Sequence, residues 1–369
     1  MSQKTNYKEA DRAFWTFRKQ IDLSEDYLPI NISSEKELFL HAFKEGKVYN
    51  PVFQYAEKND VQFLEKLDDF RKQFDSFKGW PLLPYYQRYF NDLKEHIEYF
   101  SDRSKRDFSD WLSRRYAAPT EAEIVHAMET LEIPEAESER SDEKMDAFAA
   151  RSILESVLEI SKIDGWEVVV NEMVARMAVN SVQKRVKIKQ DASFSLAEIN
   201  RLVVHELETH VYRYENGSQQ DYLIYAFGFP DYLESEEGLA ITNELKAGCL
   251  TQIDLKKYSL RFMLADQCLK SSFYEMFSFC LPYKGNDFDE AFNMVLRFKR
   301  GLEDTSVAGG TIKDLVYYRG YERVRNLNEE TIRALYHGKI GIEHLPVLDE
   351  MKDVVPPKYL PKGITITRS

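Results

Sequence analysis

His205-Glu206-Leu207-Glu208-Thr209-His210 lies in a stretch that reads as one helix, and its two histidines are five residues apart. In the usual His-Glu-x-x-His arrangement the imidazoles stand roughly 40° apart on one helical face and can grip one ion. A spacing of five separates them by about 140° on a regular α-helix, so a shared ion requires an extra residue to bulge out in a π-type turn. The sequence therefore predicts a π-bulge within Glu206 to Thr209. Two imidazoles and a later carboxylate make a three-ligand Zn²⁺ site with its fourth position open to water, and Glu206 is placed to take that water's proton. The bland alternative is two surface or core histidines that happen to flank a helix turn.

The neighbouring residues favour a helix. Ser195-Leu196-Ala197-Glu198 spells a capping box, and apolar Leu196, Ile199, Leu202, Val203 and Val204 follow it. Asn216-Gly217 offers the left-handed conformation common just past a helix C-terminus. A second helical stretch carries Ser235-Glu236-Glu237-Gly238-Leu239-Ala240 and, two turns beyond Glu237, Glu244. Glu244 either accepts a proton from a ligand imidazole or is a solvated carboxylate on a helix face.

With 369 residues and 43% hydrophobic content, the chain forms two domains or one large one with a substantial core. Residues 8 to 150 read as mostly helical, with apolar residues at three- and four-residue intervals over Tyr7 to Ile21, Glu35 to Lys47 and Asn59 to Phe77. The acidic run from Pro134 to Lys144 has little to bury and marks a boundary, dividing a helical region 1–150 from a catalytic region 151–345. Trp166 to Val170 and Met177 to Lys189 carry the β-branched, partly alternating pattern of strands, placing a small sheet beside the histidine helix. In zinc peptidases of this order such a strand pairs with an extended peptide, a role that falls here near Val182 to Ile188. The expected fold is α+β and predominantly helical, with residues 346–369 an extension whose end from Pro356 is either a packing arm or disordered.

A net charge of −12 argues against nucleic acid as a partner, because phosphate contacts need a basic surface. No run approaches the roughly 20 apolar residues that span a bilayer, and no signal-peptide core follows Met1, so a cytoplasmic location and no membrane partner are expected. Cys249, Cys268 and Cys280 are odd in number and widely spaced, which suggests buried thiols rather than disulfides or a sulfur-ligated metal. The 22 Tyr and 23 Phe mostly serve the core, and only a few can line a pocket. Oligomeric state is not encoded in any of these features.

The histidine motif, Asn216-Gly217-Ser218-Gln219, the Glu236-Glu237-Gly238-Leu239-Ala240 run and the block from Gly309 to Gly320 together resemble the microtubule-associated tyrosine carboxypeptidase family, known for its QEGLA motif, in its bacterial form. Leu28-Pro29-Ile30-Asn31 and Asn50-Pro51-Val52-Phe53-Gln54-Tyr55 are similar to N-terminal elements of that family, so the resemblance runs from about residue 10 to residue 330. It implies a gluzincin-like zinc metallopeptidase acting on the C-terminus of a peptide or protein. His205, His210 and Glu237 become the zinc ligands and Glu206 the general base and acid. The chain departs from the family at Glu236, where Gln is usual, and at Glu208, where Gly is common. Glu236 then either orients a ligand or complements a helix N-terminus.

A carboxypeptidase must also hold the terminal carboxylate. Lys313, Tyr317, Tyr318 and Arg319 follow Gly309-Gly310, and Arg297, Lys299 and Arg300 precede it; Lys313 and Arg297 are the chosen pair, against the alternative of ordinary surface charges. Tyr317 or Tyr318 is the expected oxyanion donor. The implied reaction is attack of a zinc-activated water on the last peptide bond, releasing Tyr or Phe. Competing readings are a dipeptidyl peptidase III-like exopeptidase, disfavoured by Gly238-Leu239-Ala240 and the Lys313 block, and a non-catalytic zinc regulator, disfavoured by Glu206.

Overall fold

The computed structural model describes residues 3–23, 26–58, 60–103, 108–134, 144–173 and 176–366. The fold is α+β and mostly helical. Six helices come first: α1 (Gln3–Arg18), α2 (Ile32–Lys44), α3 (Leu64–Asp75), α4 (Leu83–Ser101), α5 (Phe108–Arg114) and α6 (Glu121–Glu132). The first three cover most of the stretches where three- and four-residue apolar spacing placed helices, except that α1 and α2 each start and end three or four residues earlier and a short 3₁₀ turn, Asp60–Phe63, precedes α3. Within the acidic run, 135–143 lies outside the described residues; its flanks Pro134 and Lys144 are exposed.

Past that run the chain forms β1 (Met145–Asp146), α7 (Ala147–Ile160), β2 (Glu167–Asn171), β3 (Met177–Asn180), β4 (Arg185–Lys189) and β5 (Ser193–Phe194). β2, β4 and β3 make a small sheet in that order, β4 being parallel to β2 and antiparallel to β3. The expectation that Val182 to Ile188 pairs with a peptide is therefore corrected. β4 is the central strand, its backbone groups already shared with two neighbours, and only an edge can add a strand. β3 is an edge, and it packs against the histidine helix.

That helix begins as α8 (Leu196–Leu202), continues through a π-helical segment, Val203–Val211, and ends as α9 (Tyr212–Ser218). Its start is the capping box read from sequence: Ser195 Oγ accepts from Glu198 N at 3.2 Å and Glu198 Oε2 from Ser195 N at 2.9 Å. Its end is not the left-handed stop expected at Asn216-Gly217. Gly217 is helical and needed for a close approach, since a Cβ there would lie 2.2 Å from the Tyr225 carbonyl oxygen.

The rest is α10 (Ile224–Phe227), α11 (Leu233–Lys246), α12 (Gln252–Cys268), α13 (Phe273–Cys280), α14 (Phe288–Lys299), α15 (Leu315–Val324), α16 (Glu329–Leu335) and α17 (Leu345–Glu350), followed by an irregular arm. Two large apolar clusters hold it together. One joins Phe14, Trp15, Phe74, Tyr86 and Phe90 to Leu207, Val211 and Leu239; the other joins Phe39 and Phe53 to Phe262, Phe277, Phe292 and Val316. Both draw residues from either side of residue 150. Most of the abundant aromatics are spent here, Phe14 alone meeting the rings of Trp15, Phe70, Phe74, Tyr86, Tyr89 and Phe90. The arm packs, with Ile364 and Ile366 set against the first cluster. The three cysteines are free, Cys268 and Cys280 buried and Cys249 half-buried. No helix among the described residues is long and apolar enough to cross a membrane.

Removing the cap with Ser195→Ala should lower unfolding free energy by about 1 kcal/mol, read by chemical denaturation. Burial raises the Glu198 carboxyl, but Arg176 and the Ser195 amide outweigh it and hold it at about 2. A lowered folded value stabilises above the ordinary carboxyl pKa. The difference in unfolding free energy between wild type and Glu198→Ala should thus be constant from neutral pH to about 4.5 and shrink as pH falls toward 2.

Candidate active site

The wide turn expected between Glu206 and Thr209 is present and longer, spanning Val203–Val211. It leaves carbonyls without regular helical partners, and side chains supply them. Thr209 Oγ1 donates to the Val204 carbonyl, five residues back, at 3.0 Å. The Tyr336 hydroxyl donates to the Glu208 carbonyl at 3.0 Å. Asn243 Nδ2 ties the two together, donating to Thr209 Oγ1 at 2.9 Å and to the Tyr336 hydroxyl at 2.8 Å. With the turn so held, the His205 and His210 rings stand 5.0 Å apart, centroid to centroid.

Glu237 on α11 completes the group. His205, His210 and Glu237 each present one donor atom, all within 4.8 Å of one another and all buried. Glu237 Oε2 lies 3.4 Å from His205 Nε2 and 3.8 Å from His210 Nε2, and it is buried without a hydrogen-bond partner. A desolvated carboxylate oxygen left unpaired between two imidazole nitrogens is strongly unfavourable unless a cation joins them. The donor types, two nitrogens and one oxygen, suit Zn²⁺, so the residues fit the metal that the motif implies.

Each imidazole is fixed from behind. His205 Nδ1 donates to Glu244 Oε1 at 2.6 Å, and His210 Nδ1 donates to Glu236 Oε1 at 2.8 Å. This leaves each Nε2 lone pair facing Glu237. Glu236 lies in the first turn of α11, so it complements that helix N-terminus as well as orienting His210, while Glu244 is 0% exposed, which rules out its solvated reading. Both carboxylates are backed by cations: Arg213 binds Glu236, Lys339 lies 3.2 Å from it, and Arg201 reaches Glu244 at 3.0 Å. Burial raises the Glu236 carboxyl, yet Arg213 and Lys339 outweigh it and hold it far below the usual range.

α11 reaches this position because it touches α15 backbone to backbone. A Cβ on Gly238 would sit 2.2 Å from the Gly320 carbonyl carbon and oxygen, and one on Gly320 would sit 2.0 Å from the Glu234 oxygen. That contact gives the glycine after Glu237 its role and carries Lys313 and Tyr317 to the site. Glu237 is the main influence raising the Tyr317 phenol. It also opposes the lowering of the Lys313 ammonium by burial and adds to the raising of Arg297, whose chief partner is Asp314. Lys313 is walled in yet open to solvent and makes no hydrogen bond or ion pair with a described residue. Arg297 grips Asp314 through two bonds of 2.7 and 3.1 Å.

The other basic candidates stand elsewhere. Arg319 is committed to Glu123 and to the Ala117 and Ala118 carbonyls, and the Tyr318 hydroxyl to Thr130 and the His126 carbonyl. Lys299 is fully buried, donating to the carbonyls of Ser271, Val307 and Gly309, so it shapes the loop before Lys313 and is closed to a ligand. Glu206 hydrogen-bonds no described residue and stands beside His205 outside the three-donor group. Sequence reading missed Arg201, Arg213, Lys339 and Arg261. Arg201 and Arg213 were findable, four residues before one histidine and three after the other, on one helix face. Lys339 and Arg261, whose guanidinium lies 5.2 Å from the Tyr317 ring centroid, come from distant segments without a local signal.

Two imidazoles and a carboxylate able to hold a metal, with a free carboxylate alongside, are the donor set of a metal-assisted hydrolase. A family model described as microtubule-associated tyrosine carboxypeptidase matches residues 40–369, and the chain belongs to that family. Its members are carboxypeptidases, which makes this chain an enzyme of that class. The match begins later than the resemblance suggested, leaving out Leu28 to Asn31, and runs on through the C-terminal arm. No curated protein sequence matches the chain.

Gly238→Ala should force α11 from α15, lowering unfolding free energy by about 3 kcal/mol or more. Thermal denaturation reads the loss; an unchanged melting temperature would show that the helices can part without cost.

Proposed function

We propose that the chain is a zinc-dependent carboxypeptidase that hydrolyses the last peptide bond of a peptide or protein and releases a C-terminal Tyr or Phe. The observation that carries this reading is the buried, unpartnered Glu237 Oε2 between two imidazole Nε2 atoms, with Glu206 beside them and uncommitted. His205, His210 and Glu237 would hold the ion. Zinc bound there supplies Lewis acidity toward a water molecule and the scissile carbonyl.

The chain's own groups do the rest. Glu206 takes the proton of the attacking water and returns it to the departing amine. Glu244 and Glu236 keep both imidazoles in the tautomer that presents Nε2. Lys313, without a hydrogen-bond or ion-pair partner among the described residues, holds the substrate's terminal carboxylate, and Arg297 adds positive charge while anchored on Asp314. The Tyr317 hydroxyl, which hydrogen-bonds no described residue, donates to the oxyanion. Its ring, stacked on Tyr258 at 5.6 Å and 10°, offers a flat wall to an aromatic leaving residue. A cleft of about 500 Å³ beside the edge strand, lined by Ala178, Val179, Tyr232 and Lys339, gives an extended peptide room to approach. A cytoplasmic location is part of this proposal.

The decisive experiment measures metal content together with amino-acid release from peptides ending in Tyr, Phe, Leu or Lys. About one zinc per chain and release of Tyr or Phe are expected. Glu206→Gln should keep the zinc and lose about 10²–10⁴-fold in kcat. A chelator should abolish activity and added Zn²⁺ restore it; release that survives complete metal removal would sink the proposal. Lys313→Ala should raise KM roughly tenfold or more with little change in kcat, as expected for a lost charge-assisted bond to the substrate carboxylate.

A further inference from the structure

One buried carboxylate in the metal helix plays no part in the site described above. Glu208 is fully buried and its oxygens accept three backbone amides from the C-terminal arm. Oε1 accepts from Lys362 N at 2.8 Å and Ile364 N at 3.4 Å, and Oε2 accepts from Gly363 N at 2.9 Å. Two more side chains of the same helical run and one just past its end bracket this arm. Asn200 bonds both backbone groups of Ile366, at 2.7 and 3.2 Å. Asn216 accepts from the Lys358 and Tyr359 amides at 2.9 Å and donates to the Tyr359 carbonyl at 2.7 Å. Gln220, just past α9, bonds both backbone groups of Val355 at 2.9 Å. The arm thus runs antiparallel to the metal helix along one line of polar side chains.

That line exists only in the π register. On an unbroken α-helix Asn216 would lie about 160° round from Asn200, on the opposite face. The extra residues of the wide turn take up that rotation, which lets one extended segment reach both. The same turn brings His205 and His210 to a common point, since in a regular helix they would diverge by about 140°. Whatever favours the arm's contacts therefore favours the spacing the metal ligands need.

We propose that residues 355–366 act as a splint selecting the π register of the metal helix, with Glu208 as the positioning residue through which they act on His205 and His210. The proposal rests on the metal-site reading, and it assigns a purpose to the glutamate that stands where Gly is common in the family.

The test uses the full chain as wild type, Glu208→Ala, Glu208→Gln and Asn216→Ala, titrated with Co²⁺ followed by its visible absorption and competed with Zn²⁺. The splint predicts that Glu208→Ala weakens metal binding about tenfold, within the range for groups that orient ligands indirectly. Glu208→Gln, which keeps an acceptor for Lys362 and Ile364, should recover part of the loss. Once loaded with metal, the variants should keep the wild-type KM. Glu208→Ala and Asn216→Ala proteins that melt earlier yet bind metal as wild type would overturn the splint and leave the arm a stabilising contact only. If Glu208→Ala does not fold, Asn216→Ala, remote from the ligands, decides by the same readout. A wild type that takes up neither metal would refute the metal site itself, an outcome distinct from the splint's failure.

Discussion

The wide turn in the helix of residues 196–218 is the constraint on which the rest of the site depends. A π-helical segment forms weaker backbone contacts than α and reverts unless its surroundings over-determine it. Here they do so from two sides. Thr209 and Tyr336 satisfy carbonyls that the turn leaves open, Asn243 holds both hydroxyls in place, and Glu208 binds the C-terminal arm. Helices distant in sequence are thereby recruited to one task, α11 through Asn243 and the end of α16 through Tyr336.

Around the donor group, charge is layered. Each imidazole meets a carboxylate, and each carboxylate meets a buried or half-buried cation: His205, Glu244 and Arg201 on one side, His210, Glu236 and Arg213 on the other. A buried carboxylate without its cation would take up a proton and cease to orient the ring. With Arg213 and Lys339 beside it, Glu236 remains ionised and serves as a hydrogen-bond acceptor, as the family's usual Gln can through its carbonyl oxygen. The substitution at Glu236 thus comes with the local means to tolerate it. Glu237 has no Lys or Arg paired to it among the described residues, and that asymmetry marks the place for a cation.

Local features of the fold were well legible. The capping box at Ser195, the helical periodicity of the N-terminal region and the strands near Trp166 and Met177 all depend on neighbours in sequence, and each lies where the residue pattern put it. The histidine spacing even required the wide turn, because no other helical geometry lets both rings share a point. Failures came where two segments meet. Asn216-Gly217 reads as a helix stop from local propensity, but Gly217 serves a close approach to Tyr225 and Asn216 grips the arm. The strand before the metal helix became the middle of its sheet, since pairing order is set by tertiary contacts. Among the basic residues after Gly309, side chains of like charge went to unlike uses: Lys313 open to solvent, Arg319 committed to Glu123.

What the sequence by itself determined is the set of reacting groups and the helix that bears two of them, because residue type and spacing along one element fix chemistry and direction together. What only the tertiary structure decided is which carboxylate stands behind which imidazole and which cation stands behind that. It also decided that the glycine after Glu237 exists to let α11 meet α15 at Gly320. Glu208, Glu236 and Glu244 are alike as letters in a helical sequence. The difference lies in what each side chain meets across 26 to 154 residues of chain, and burial makes that meeting decisive, since a charge removed from water is held by its partners or not at all.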